Sequence, residues 1–143
     1  MVQADDARVV RLFGEPPTRP NSFPRAKPIN APLLRKTMDY IEEHPEEWYQ
    51  AKWGIRRPGC GTRACFAGHA LMLSGYELLN SIGSASLLTA THPGRDKVLT
   101  IAQAAKEELG LDMYEADALF DGNNTMSGLR SIVTEFIDRA EQE

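Results

Sequence analysis

The chain has 143 residues, 42% hydrophobic and 25% charged, with a net charge of -4. That is enough chain to bury one core, and the composition is not that of a disordered or collagen-like sequence. The acidic balance argues against coating nucleic acid by bulk charge and leaves only a local basic patch for such contacts.

Leu12 to Pro28 carries Pro16, Pro17, Pro20, Pro24 and Pro28 among few apolar residues, so it neither continues a helix nor buries enough surface to order itself. We therefore expect residues 1–29 to form a flexible, disordered proline-rich arm and residues 30–143 a single helical domain. Asn30 is a good N-cap, Pro32 suits a first turn, and Leu34, Met38 and Ile41 follow at helical spacing up to His44, before Pro45. A short second helix is expected over Glu46 to Ala51. Thr62 is expected to start a central helix through Phe66, Ala67, Ala70, Leu71 and Leu73, stopped by Gly75.

From Tyr76 to His92 a small β-hairpin (around 77–91) or an irregular loop fits equally well, and helix stays open as a further alternative. Thr100 and Gln103 have the form of a capping box opening a helix that Gly110 ends, and Asp112 with Glu115 repeats the signature for a helix through Ala116, Leu119 and Phe120. The last helix, Met126 to about Ala140, places Leu129, Ile132, Val133, Phe136 and Ile137 on one face. The expected fold class is mainly α: five to six short helices with at most one small hairpin.

The chemistry-bearing residues concentrate in Trp53 to His69, a glycine-rich stretch with both cysteines, Cys60 and Cys65, and one histidine. Four readings apply. The cysteines act as small apolar fillers while the glycines permit tight turns. Alternatively they form a disulfide around a loop too short to constrain the unfolded chain much. In the third reading Cys60, Cys65 and His69 bind zinc, with His92 or His44 as fourth ligand, although the spacing is not that of the familiar paired motifs. In the fourth, a helix N-terminus lowers the pKa of Cys65, and His69 or His92 serves as base in a cysteine-dependent enzyme.

The adopted reading assigns no catalytic residue, no metal and no cofactor. Lys52, Arg56, Arg57 and Arg63 surround Trp53; the favoured reading is a solvated charged rim over a tryptophan anchored in the core, and the basic loop 52–63 is the candidate contact surface for a partner, with Trp53, Arg56, Arg57 and Arg63 as its residues and nucleic acid as the alternative ligand. Asp121 to Thr125 is not a calcium loop, because Ile132 stands where the bidentate Glu belongs; Asn124 or Thr125 is read instead as the cap of the last helix.

Three segments carry a resemblance: His44-Pro45-Glu46-Glu47-Trp48 through Trp53; Cys60-Gly61-Thr62-Arg63-Ala64-Cys65-Phe66-Ala67-Gly68; and Leu109-Gly110-Leu111 with Ala116 to Phe120. In these the chain resembles a group of small, uncharacterised helical proteins of actinobacteria and their phages, mycobacteriophages among them. The resemblance covers about Asn30 to Ile137 and implies no activity and no residue roles. Many similar sequences hold Trp at the position of His69, which implies packing there rather than an obligatory metal ligand.

With no catalytic constellation in view, the expected function is a non-enzymatic interaction protein of phage or prophage origin that binds a host or phage protein through its helical surface or its proline-rich arm. Homo-oligomerisation is compatible with this. No run approaches the roughly 18 apolar residues of a membrane span, and Met1 to Asp6 does not read as a signal peptide. The expected location is the cytoplasm, that of the host cell if the chain is phage encoded, with no membrane partner.

Overall fold

The computed structural model describes residues 27–57, 59, 61–80 and 83–142. Most of the expected arm, residues 1–26, lies outside the described residues. The elements in chain order are α1 (Ala31–Glu43), a 3-10 turn (Pro45–Glu47), β1 (Gly54–Arg57), β2 (Gly61–Ala64), α2 (Phe66–Leu73), β3 (Glu77–Asn80), β4 (Leu87–Thr91), β5 (Leu99–Thr100), α3 (Ile101–Leu109), α4 (Met113–Phe120) and α5 (Met126–Glu141).

This corrects the mainly α expectation: 51% of the described residues are helical and 19% lie in strands, so the fold is mixed α and β. β1 and β2 form an antiparallel pair, and β3, β4 and β5 form a three-stranded antiparallel sheet. A bridge from Ile55 to Ser86, with the Arg56 N–H donating to the Ala85 carbonyl at 2.9 Å, joins the two.

Two local errors produce the difference. The central helix begins at Phe66, not Thr62, because Gly59 and Gly61 adopt φ of 78° and 72° and turn the chain back, leaving Gly61–Ala64 extended beside β1. Only glycine takes such angles at little cost. The expected helix from Glu46 to Ala51 shrinks to the Pro45–Glu47 turn, after which Trp48 is extended and pairs with Ala64, and the Tyr49 N–H donates to the Ala64 carbonyl at 2.9 Å. Tertiary pairing outweighs local helix preference there.

The helix ends follow local chemistry. Asn30 Oδ1 accepts the Leu33 N–H at 3.2 Å, Thr100 Oγ1 the Gln103 N–H at 3.1 Å and Thr125 Oγ1 the Gly128 N–H at 3.1 Å, while Asp112 and Glu115 form a complete capping box. Of the alternatives for 76–92, the hairpin forms, as β3 and β4.

α2 sits between two buried clusters. Phe66 and Ala70 face Leu34, Met38 and Ile41 of α1, Leu119 of α4 and Leu129, Val133 and Phe136 of α5. Cys65, Ala67 and Leu71 face Leu78 and Leu87 of the three-stranded sheet and Ile101, Ala104 and Ala105 of α3. Every residue from Phe66 to Leu71 is buried, which explains a helix apolar on all sides.

Gly68 fixes how closely the hairpin lies on α2: a Cβ there would stand 2.5 Å from the Trp53 carbonyl oxygen and 2.7 Å from the Ala64 Cβ. The neighbour that demands glycine is thus a hairpin backbone. Gly68→Leu should destabilise the protein by about 3 kcal/mol or more in urea melts, whereas Arg57→Ala, on the exposed part of the same hairpin, should stay within about 0.5 kcal/mol. Equal midpoints for the two variants would show that the hairpin does not rest on α2.

Candidate functional site

The β1–β2 hairpin segment concentrates cationic side chains for which no carboxylate partner occurs among the described residues. Its register pairs Gly54 with Ala64, Ile55 with Arg63, Arg56 with Thr62 and Arg57 with Gly61. Opposed residues share a face and alternate along each strand. Gly54, Arg56, Thr62 and Ala64 therefore share the inner face, where Gly54 and Ala64 are buried and Arg56 donates to Thr62 Oγ1 at 3.2 Å and to the Leu78 carbonyl at 3.3 Å. Arg57 and Arg63 lie diagonally on the other face, both exposed.

No Asp or Glu occurs between Glu47 and Glu77. Among the described residues, no carboxylate pairs with Lys52, Arg56, Arg57 or Arg63, whereas Arg35, Arg95, Arg130 and Arg139 each have an acidic partner. Two guanidinium groups on one face of a two-stranded ribbon repel each other, so this arrangement is most favourable when an anion sits between them.

Trp53 is in the same segment but not on this surface. Its ring packs edge-on against Phe120, with centroids 6.0 Å apart at 82°, and its carbonyl faces α2. The expected constellation thus divides: Arg56, Arg57 and Arg63 line the hairpin, and Trp53 belongs to the junction with α4.

The cysteine-histidine segment forms part of the core. Cys65 is the N-cap residue of α2 and is 1% exposed; its free thiol lies 3.8 Å from the Trp53 carbonyl as a weak donor. Burial pushes this thiol up to about 11, outweighing the helix-end N–H groups that would lower it. Position at a helix N-terminus is therefore insufficient here, because desolvation is the larger effect. The other cysteine of the disulfide and zinc readings, Cys60, lies outside the described residues.

His69 is 2% exposed, and its Nε2 lies 2.8 Å from the Glu47 carbonyl, so Nε2 carries the proton and donates. Burial holds its pKa below the usual histidine range, and its ring tilts against Tyr40 at 5.5 Å. His69 joins α2 to the Pro45–Glu47 turn; its link to Cys65 is the backbone bond from the His69 N–H to the Cys65 carbonyl at 3.1 Å, and its ring nitrogen bonds to Glu47 instead of the thiol. His92 Nδ1 accepts the Gly94 N–H at 2.9 Å, and its ring lies against Tyr76; His44 Nδ1 meets the Tyr40 carbonyl at 3.0 Å. The candidate base and fourth ligand are thus engaged elsewhere. Cys60 lies outside the described residues, and no group of three or more His, Cys, Asp or Glu that could hold a metal ion occurs among them.

The polar residue that sequence reading passes over is Gln50, 6% exposed. Its Oε1 accepts the Phe66 N–H at 3.1 Å and the Trp48 Nε1–H at 3.0 Å, while Nε2 donates to the carbonyls of Leu119 and Asp121, both at 3.1 Å. It caps the start of α2 and the end of α4 at once. A lone Gln in a segment of mixed polarity carries no sequence signal for such a role. The Asp121–Thr125 segment is a helix connector, with Asp121 Oδ1 accepting the Asn123 N–H at 2.9 Å and Asn124 Nδ2 donating to the Ala118 carbonyl at 2.8 Å.

No protein-family model, curated protein or solved structure matches this chain.

The placement of Cys65 has two measurable consequences. In a Cys60→Ser background, iodoacetamide should alkylate the native protein far more slowly than a free thiol and react fully only after denaturation. Because the folded-state pKa is raised, the native state holds its proton longer than the unfolded chain; stability present below about pH 9 should fall as pH rises towards about 11, and fall less steeply in Cys65→Ala. Rapid labelling of native protein at neutral pH would overturn this placement.

Proposed function

We propose that this chain is a non-enzymatic interaction protein whose β1–β2 hairpin contacts an acidic surface on a protein partner. The observation that carries the reading is the exposed Arg57–Arg63 face, with Lys52 and Arg56 in the same hairpin segment and no carboxylate paired to any of them among the described residues. Arginine presents a planar fork suited to bidentate carboxylate contacts, and charges at an interface rim mainly steer encounter and select partners.

A thiol enzyme draws no support from Cys65, whose sulfur is buried and protonated at neutral pH. The resemblance to small proteins of actinobacteria and their phages points to a phage or prophage origin and a host or phage protein as partner. We place the protein in the cytoplasm, that of the host cell if it is phage encoded. Among the described residues, no helix is long and apolar enough to cross a membrane.

Nucleic acid is the second reading, favoured by the same four cations. Against it stands Trp53, whose ring is engaged with Phe120 and not free to stack on a base.

Tagged wild-type protein should capture a partner from actinobacterial lysate; capture should survive nuclease treatment and be lost in Arg57→Glu/Arg63→Glu, with the urea midpoint little changed. Capture unaffected by charge reversal would contradict the reading. A gel shift whose log affinity falls against log salt with a slope of about -3 to -4, as four phosphate contacts require, would replace the protein partner with nucleic acid.

A further inference from the structure

A second surface is lined by none of the hairpin arginines. α3 and α4 meet at Gly110 and Leu111, and beside them, bounded by Trp53, is a groove of about 540 Å³. Its apolar side includes Trp53, Phe120 and Met113, and Met113 is 57% exposed. Flexible methionine next to aromatic rings makes an adaptable apolar contact. Asp117 and Asp121 also line the groove and are exposed, against one partly buried cation, Lys106. The matching ligand is a short apolar peptide carrying positive charge.

Such a peptide is present in this chain. The described part begins at Lys27, and the Pro28 carbonyl lies so close to Gly110 that a side chain there would run into it. The Asn30 N–H donates to the Leu109 carbonyl at 2.9 Å and Asn30 Nδ2 to the Glu108 carbonyl at 3.0 Å. The preceding 26 residues therefore start from the C-terminal end of α3, between groove residues Lys106 and Met113 in the chain.

Within them, Arg8-Val9-Val10-Arg11-Leu12-Phe13 is where apolar side chains run together with two arginines. Fourteen residues, 14 to 27, separate Phe13 from Pro28. At about 3.1 Å per residue such a linker spans up to about 40 Å, whereas α4 is only about 12 Å long, so reach is not limiting. A short tether also raises the local concentration to the millimolar range, enough for a modest apolar contact.

We infer that the Arg8–Phe13 segment docks intramolecularly in the α3–α4 groove. Leu12 and Phe13 supply the apolar contact with Trp53, Met113 and Phe120, and Arg8 and Arg11 lie towards Asp117 and Asp121. An external partner for this groove must then displace the chain's own segment. The inference is independent of the hairpin reading, since it uses none of the hairpin arginines.

The test uses the full chain with a nitroxide on Ala7→Cys in a Cys60→Ser background, leaving buried Cys65 unlabelled. Backbone amide signals of Lys106, Met113 and Asp117 should broaden selectively, and the broadening should vanish in Leu12→Asp/Phe13→Asp while the remaining spectrum is unchanged. No selective broadening, broadening centred on another face, or persistence in the double variant would overturn the inference. So would broadening in a mixture of spin-labelled and separately isotope-labelled protein, which would make the occupant a second copy's arm.

Discussion

The carboxamide of Gln50 makes four hydrogen bonds from a buried position, and the arrangement of the surrounding elements depends on them. The oxygen takes two donors, the Phe66 and Trp48 N–H groups, and the nitrogen gives its two protons to the Leu119 and Asp121 carbonyls. None of these partners can exchange roles, so the orientation of the amide is determined by its surroundings. A helix end buried without partners leaves N–H or carbonyl groups unsatisfied, and Gln50 removes that cost at the start of α2 and the end of α4 together.

With its first N–H group accepted by Gln50 Oε1, α2 is buried between the helical cluster and the sheet-facing cluster. The burial carries Cys65 and His69 inward with it, which accounts for the raised thiol pKa and the lowered histidine pKa through the same desolvation. The hairpin rests against α2 where Gly68 leaves no room for a side chain. Its inner face is thereby committed to Gly54 and Ala64, and the charge carried by Arg57 and Arg63 is turned outward. The reactive-looking residues are thus structural, and the exposed chemistry of the segment is cationic.

The parts legible in sequence are those set by chemistry within a few residues. Asn30, Thr100, Asp112 and Thr125 each cap a helix through their own side chains, Gly110 ends α3 with φ of 69°, and the stripe of α5 follows from period alone. The parts that were not legible depend on distant partners. Trp48 and Tyr49 leave the helical path because Ala64 pairs with them, and the 54–64 stretch becomes a hairpin although its four-residue strands show little hydrophobic alternation. Gly68 signals a close neighbour in sequence, but only the structure shows that the neighbour is a hairpin. The arginines of the candidate surface were readable as a basic loop; their division from Trp53 followed only from strand register and the Phe120 contact.

The most direct measurement of this account is the unfolding free energy of Gln50→Glu at neutral pH. The substitution keeps size and shape but replaces a double donor with a carboxylate oxygen facing the Leu119 and Asp121 carbonyls, so a loss of about 3 kcal/mol or more is expected. A loss below about 0.5 kcal/mol, the level of an ordinary surface substitution, would show that Gln50 does not hold α2 and α4 together.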